Sequence, residues 1–329
     1  MNKAQPAVAI VMRTTDRGLL LERAVSDVLG QSLQDWTLVI VNDGGSVAEV
    51  DDVVEQHSSA LGDRVQVIHH DESVGMEAAA NHGIRSSESE FIVVHDDDDT
   101  WHPDFLTRTV DRLRGSNDAG VAVRTEMVFE RVLGTRIVEV AREIFEPDVT
   151  SVTLFDILRV NRFVPISVLY RRTLHDDVGY FDEDLSAVGD WEFLLRVLSA
   201  HTMSFIGEEP LAFWHHRREA TGALGNSVIA KSDEHQRLDL LVRERHLKEH
   251  VKDNGLGALL YLTKHESQLA DHLHQRKNYA EDLLLQSLEQ NRQLSERLGR
   301  LEEAVSDASL VSLLRRRYRR LKDRLAPRA

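Results

Sequence analysis

The sequence predicts an α/β fold: a mixed, mostly parallel sheet flanked by helices, followed by a helical extension. Short β-branched runs alternate with helix-period segments over the first 120 residues, and aspartates close two of those runs. After about residue 227 the chain turns helical and rich in Leu, Glu, Gln, Arg and His.

Residues 8–12 (VAIVM) read as a buried strand and 19–29 as a helix. A second strand covers 36–43 (WTLVIVND), followed by a turn at Gly44-Gly45 and a helix over 47–57. Residues 64–70 form the third strand, and MEAAANHGIRSS a helix ending near Gly83. The fourth strand is 90–96, and Pro103 suits the first turn of the helix that follows. In such sheets ligands bind at the carboxyl ends of strands, where Asp43 and Asp96 stand. From 119 to 145 two longer strands form a hairpin around Gly134. A helix over 151–160, a strand over 166–172, a helix over 189–200 and a last strand over 211–216 complete the α/β part.

With 329 residues the chain has room for one large domain or a domain plus appendages. Its apolar runs are too short for a transmembrane helix, and its N-terminus reads as a first strand and not a signal peptide. The absence of cysteine excludes disulfides, thiolate catalysis and thiolate metal sites, and fits a cytoplasmic location. The net charge is −15, yet residues 310–329 carry seven Arg and one Lys against one Asp, so the rest sums to −22. An acidic body excludes nucleic acid as a general partner.

The stretch FIVVHDDDDTWHPDFL (91–106) sets four aspartates directly after an apolar strand. Strand alternation would let Asp96 and Asp98 converge, with Asp97 and Asp99 pointing elsewhere. Two converging carboxylates call for a cation, and oxygen ligands select a hard one, Mg2+ or Mn2+, with sites left for diphosphate oxygens. A solvated acidic turn capping the next helix is the other reading.

Over residues 8 to about 110, and more thinly to 227, the chain resembles the inverting family 2 glycosyltransferases of GT-A fold. The resemblance rests on VAIVMRTTDR, VLGQSLQDWTLVIVNDGG, GMEAAANHGI and HDDDDTWHPDFL. It implies a metal-dependent transfer from a nucleotide-sugar donor to a hydroxyl of a glycan or lipid-linked acceptor, in surface polysaccharide synthesis. Thr14 and Thr15 would lie along the nucleoside, Asp43 would accept from the base, and Asp96 would approach the ribose and the metal shell. Asp98 would bind the metal, joined by His216, with His215 the alternative, and Arg217 and Arg218 would pair with phosphates. Asp190, in GDWEFLLRV, matches the family's base and reads equally as a helix N-cap, with Glu192 the nearby fallback. Asp43 also reads as a turn residue bonded to local backbone.

Four residues depart from the pattern: Arg13 stands where the family often has Pro, Thr15 where it often has an aromatic, Asn42 for the first of two acids, and Ala80 where Arg is common. They leave donor grip and nucleotide identity open, and motivate a rival reading as a non-catalytic sugar-nucleotide binder or scaffold. A nucleotidyltransferase would need a glycine-rich phosphate loop, for which MRTTDRG is a poor match.

The expected domains are 1–227, divided into a donor half (1–110) and an acceptor half (111–227), and a helical extension, 228–329. Within the extension, 280–308 fits a loose heptad with Leu284, Leu294, Leu298, Leu301 and Val305 on one seam and Asn291 inside it. This suits a homodimer or a helix packed back on the domain. The tail 310–329 suits peripheral contact with an anionic membrane or a solvated charged end.

Overall fold

A computed structural model describes residues 5–133, 136–217 and 232–325. Gly134, Arg218 and the last four tail residues lie outside them. The chain divides into two compact units, one ending at His246 and one beginning at Leu247.

The first unit holds strands β1 (Val8–Thr14), β2 (Trp36–Asp43), β3 (Val65–His70), β4 (Phe91–Asp96), β5 (Thr100–Trp101), β6 (Gly120–Val123), β7 (Thr125–Leu133), β8 (Arg136–Ile144), β9 (Val168–Arg171), β10 (Met203–Ile206) and β11 (Ala212–His216). Its helices are α1 (Gly18–Leu29), α2 (Val47–Gln56), α3 (Ser58–Leu61), α4 (Met76–Arg85), α5 (Phe105–Arg114), α6 (Leu154–Arg159), α7 (Leu174–Asp177) and α8 (Gly189–Ala200). Helix α9 (Ser232–Asn254) crosses the boundary, and α10 (Gly257–Ala308) and α11 (Leu310–Leu325) belong to the second unit.

Seven strands form the main sheet in the order β10-β6-β9-β4-β1-β2-β3. All its pairings are parallel except those of β9, which runs antiparallel to both neighbours. The central strands are covered on both faces, which is why they read as continuous apolar runs. Ile10 and Met12 of β1 join Leu21, Val25, Phe105 and Val110 of α1 and α5 in one core; Val11 joins Ala80 and Ile84 of α4 and Trp191 of α8 in the other. Each fully buried large aliphatic contributes roughly 1.5–3 kcal/mol.

Helix α4 runs on past Gly83 to Arg85. Gly83 is a close-packing residue and not a terminator, for a Cβ there would lie 2.5 Å from Val11 Cγ1. Pro103 precedes α5 by two residues. A second sheet, β5-β11-β7-β8, was not expected. The 119–145 stretch divides between sheets, β6 entering the main one and β7 pairing with β8 in the other.

The first unit continues past residue 227. Leu238 and Val242 of α9 are buried in the second core, and Arg243 donates to the carbonyls of Leu158 (2.8 Å) and Arg159 (2.9 Å). In the second unit, Gly255 (φ 70°) closes α9 with a left-handed residue, its N–H bonded to Val251 O at 2.8 Å. No residue of α10 is buried. No helix among the described residues is long and apolar enough to cross a membrane.

Candidate active site

Parallel pairing brings the ends of β1, β2 and β4 to one rim. The register sets Thr14 beside Asn42 and Arg13 beside Asp96. A cavity of about 840 Å³ opens there. Thr14, Thr15, Asp43, Asp96, Asp98 and Asp190 all line it.

Beyond Asp96 the strand ends in a turn, with Asp99 N–H bonded to Asp96 O at 3.3 Å. Strand alternation therefore stops there, and the four aspartates are held by arginines, a threonine and a backbone N–H. Asp96 pairs with Arg13. Asp97 accepts from Thr14 Oγ1 (2.6 Å) and pairs with Arg17 (3.1 Å). Asp98 pairs with buried Arg217 and lies 3.6 Å from Arg17. Asp99 accepts from the backbone N–H of His215 at 2.8 Å. Burial, together with the charge of Asp98, raises the carboxyls of Asp97 and Asp99 above their ordinary values. The arginines come from β1, from the loop after it and from the end of β11.

Asp43 is held differently. Its Oδ1 accepts from Val74 N–H (2.8 Å) and meets His70 Nδ1 (2.9 Å), and its Oδ2 accepts from Ser73 Oγ (2.7 Å) and Gly75 N–H (3.0 Å). Burial would raise this carboxyl, but those bonds outweigh it and hold it below its ordinary value. Thr15 Oγ1 donates to Asp43 O at 3.0 Å. Asn42 donates to Gly45 O (2.9 Å) and accepts from Gly45 N–H (3.1 Å), a double role that a carboxylate could not fill.

Asp190 occupies the second position of α8. The cap position is Val188, in the left-handed region at φ 60°, so Asp190 projects from inside the first turn. Its Oδ2 accepts from Asn161 Nδ2 at 2.8 Å. Burial raises its carboxyl above the ordinary value, opposed by bonds from Trp191 N–H and Asn161 and by the charge of Arg13. Glu192 instead pairs with Arg196 at 2.8 Å.

Glu77 of α4, to which sequence reasoning gave no role, lies 3.7 Å from Arg13. Burial pushes its carboxyl up to about 8, opposed by Arg13 and reinforced by Asp190 and Asp96. A Cβ on Gly189 would fall 2.5 Å from the Glu77 carboxyl carbon, so a side chain there would have to displace that carboxyl. Arg13 thus stands among three carboxyl groups, those of Asp96, Glu77 and Asp190. Nothing in the α4 segment distinguishes Glu77 in sequence, because Arg13 and Asp190 lie 64 and 113 residues away.

His215 and His216 do not line the cavity. His215 Nδ1 meets Glu130 (2.7 Å) and Nε2 meets Thr100 Oγ1 (2.8 Å). Burial lowers its pKa, so the neutral ring donates from Nδ1 and accepts at Nε2. His216 stacks edgewise on Trp214, ring centres 4.1 Å apart. Trp214 is the β11 side chain that reaches the cavity, with Phe145 and Phe163. His235, Gln236 and Asp239 of α9 also line it. No three His, Asp or Glu side chains among the described residues form a metal cage. The oxygens of Asp96 and Asp98 are of the right hardness for Mg2+ or Mn2+, which commonly bind one or two carboxylates and complete their shells with phosphate and water.

A mostly parallel sheet with carboxylates at its rim and a buried acid opening a facing helix defines a GT-A type of transferase. The chain belongs to glycosyl transferase family 2, whose model matches residues 9–178. It is 31% identical to the glycosyltransferase YwdF of Bacillus subtilis over 193 residues, 57% of this chain and 67% of YwdF. It is also 36% identical to WcaA of Escherichia coli, named for colanic acid biosynthesis, over 106 residues, 32% of this chain and 37% of WcaA. In fold it is similar to residues 1–349 of S. aureus TarS in complex with UDP-GlcNAc, with TM-score 0.55 and 18% identity, covering 76% of this chain and 75% of that one. Membership of this family makes the chain a glycosyltransferase.

Proposed function

We propose that the chain moves a sugar, with inversion, from a nucleotide-diphosphate donor to a hydroxyl of a glycan or lipid-linked acceptor in building a cell-surface polysaccharide. The carrying observation is that one cavity holds both the Asp96–Asp99 corner and Asp190. The names of WcaA and of TarS with UDP-GlcNAc support the reaction class.

In this reading Asp190 takes the proton of the attacking hydroxyl, a task that its raised affinity for protons favours. Asn161 holds the receiving carboxylate in place. Arg13 and Arg17 face the donor's phosphates, exchanging part of their pairing with Asp96, Asp97 and Asp98 for phosphate oxygens. Asp96, released from Arg13, and Asp98, released from Arg17 but still paired with buried Arg217, would hold Mg2+ or Mn2+ arriving with the diphosphate, which would supply charge neutralisation for the leaving group. Thr14 and Thr15 flank the nucleoside, and Asp43 fixes the 73–75 loop beside it. Phe145, Phe163 and Trp214 present apolar faces to the acceptor side. The basic helix α11 carries a lipid-linked acceptor's surface as its partner, with cytoplasmic chemistry at an anionic leaflet.

The test is a melting-temperature panel of nucleotide sugars with and without Mn2+, followed by transfer assays and sedimentation with anionic vesicles. The expected result is a shift for one donor that depends on Mn2+ and persists in Asp190→Asn, while that variant loses roughly 10²–10⁴-fold in kcat. No shift with any donor, or full transfer by Asp190→Asn, rejects the assignment. Unchanged sedimentation after removal of 310–329 rejects the membrane role.

A further inference from the structure

Helix α10 has no buried residue over 52 residues, although it carries a row of leucines. With positions a at 284, 291, 298 and 305 and d at 280, 287, 294, 301 and 308, the apolar seam is Leu284, Leu294, Leu298, Leu301 and Val305, each between 54% and 70% exposed. Leucines repeated on one seam of a helix need a cover, since water exposure forfeits their burial energy.

The flanking charges identify that cover. Arg276 and Arg297 occupy g positions, and Glu281 and Glu302 occupy the e positions five residues further on. In a parallel, in-register pair each g side chain meets the e side chain of the next heptad on the other helix. Arg276 then faces Glu281 of the second copy, and Arg297 faces Glu302 of the second copy. Both matches are attractive, and each occurs twice by symmetry. Between them, Leu283 at g faces Leu288 at e, widening the apolar strip. An antiparallel pair opposes g with g and e with e, and forfeits both matches. Asn291 at a central a position meets its own copy only in the parallel, unshifted arrangement, the device by which a buried amide fixes register and strand number. The pattern is complementary to itself.

We propose that α10 pairs with α10 of a second copy of this chain as a parallel, in-register, two-stranded coiled coil over residues 276–308. Lys277 at the first a position and Ala280, Ser287 and Ala308 at d weaken the seam, so the association is a reversible one.

The chain's lack of cysteine gives a direct test. Sedimentation equilibrium of the full chain should show twice the 37.4 kDa single-chain mass. Ala280→Cys and Val305→Cys, each alone at opposite ends of the coil, should both form disulfide-linked dimers on mild oxidation. Arg297→Glu should raise the dimer dissociation constant about tenfold, and adding Glu302→Arg should return it to within about threefold of wild type. A single-chain mass at about 50 µM overturns the proposal, whether or not the helix then takes up anionic vesicles. A dimer in which neither cysteine links, or whose affinity ignores both charge reversals, overturns the parallel register.

Discussion

The ends of β2 and β4 lie on the same rim of one sheet, and their acids are held in opposite ways. At β2, Asp43 rests on donors of its own neighbourhood: two backbone N–H groups, a serine hydroxyl and a histidine. At β4, three of four aspartates meet guanidinium groups carried on long side chains. Backbone donors cannot move without unfolding the loop. The guanidinium groups of Arg13 and Arg17, which line the cavity, can swing to an arriving anion and leave a carboxylate behind, while Arg217 stays buried. The first arrangement builds the rim, and the second keeps charge in reserve for exchange.

This contrast breaks if removing an acid at β4 damages stability as much as removing the one at β2. Asp98→Asn should lower kcat/KM by roughly 10²–10³-fold. Its melting temperature should stay close to wild type, because Arg217 keeps Glu130 at 3.1 Å and repulsion with Asp97 and Asp99 falls. Calorimetry beside steady-state kinetics reads both quantities. Asp43→Asn should do the reverse, costing roughly 1–3 kcal/mol because the new amide nitrogen cannot accept two of the four bonds. Thermal unfolding would show that as a drop of several degrees; an unshifted melt would mean that the loop is held by other contacts.

A third acid sharpens the contrast through its pH dependence. Glu77 keeps its proton in the folded chain up to about pH 8, whereas the unfolded chain releases it near 4.5. Between those values each rise in pH favours the unfolded state, by at most about 1.4 kcal/mol per pH unit. Glu77→Gln removes that dependence, so its melting curves from pH 5 to 8 should decline less steeply than those of the wild type. Parallel declines would show that the proton sits elsewhere.

The central strands were legible because burial on both faces writes them as unbroken apolar runs, as in VAIVM and FIVV. The second sheet was not. Strand β5 has two residues, and β11 pairs with partners more than 80 residues distant. The rim acids and Asp190 stood out through motif and position. Their cations did not, since Arg13 reaches Asp96 across 83 residues and Arg217 reaches Asp98 across 119. Sequence proximity marked the negative charge and hid what neutralises it.

Gly189 has a consequence for how this protein can change over time. With the Glu77 carboxyl pressed where any side chain would begin, a larger residue fits there only if that carboxyl moves. The two sites are coupled in drift: a lineage that shortens residue 77 gains freedom at 189, and one that keeps the glutamate must re-seat its carboxyl to lose the glycine.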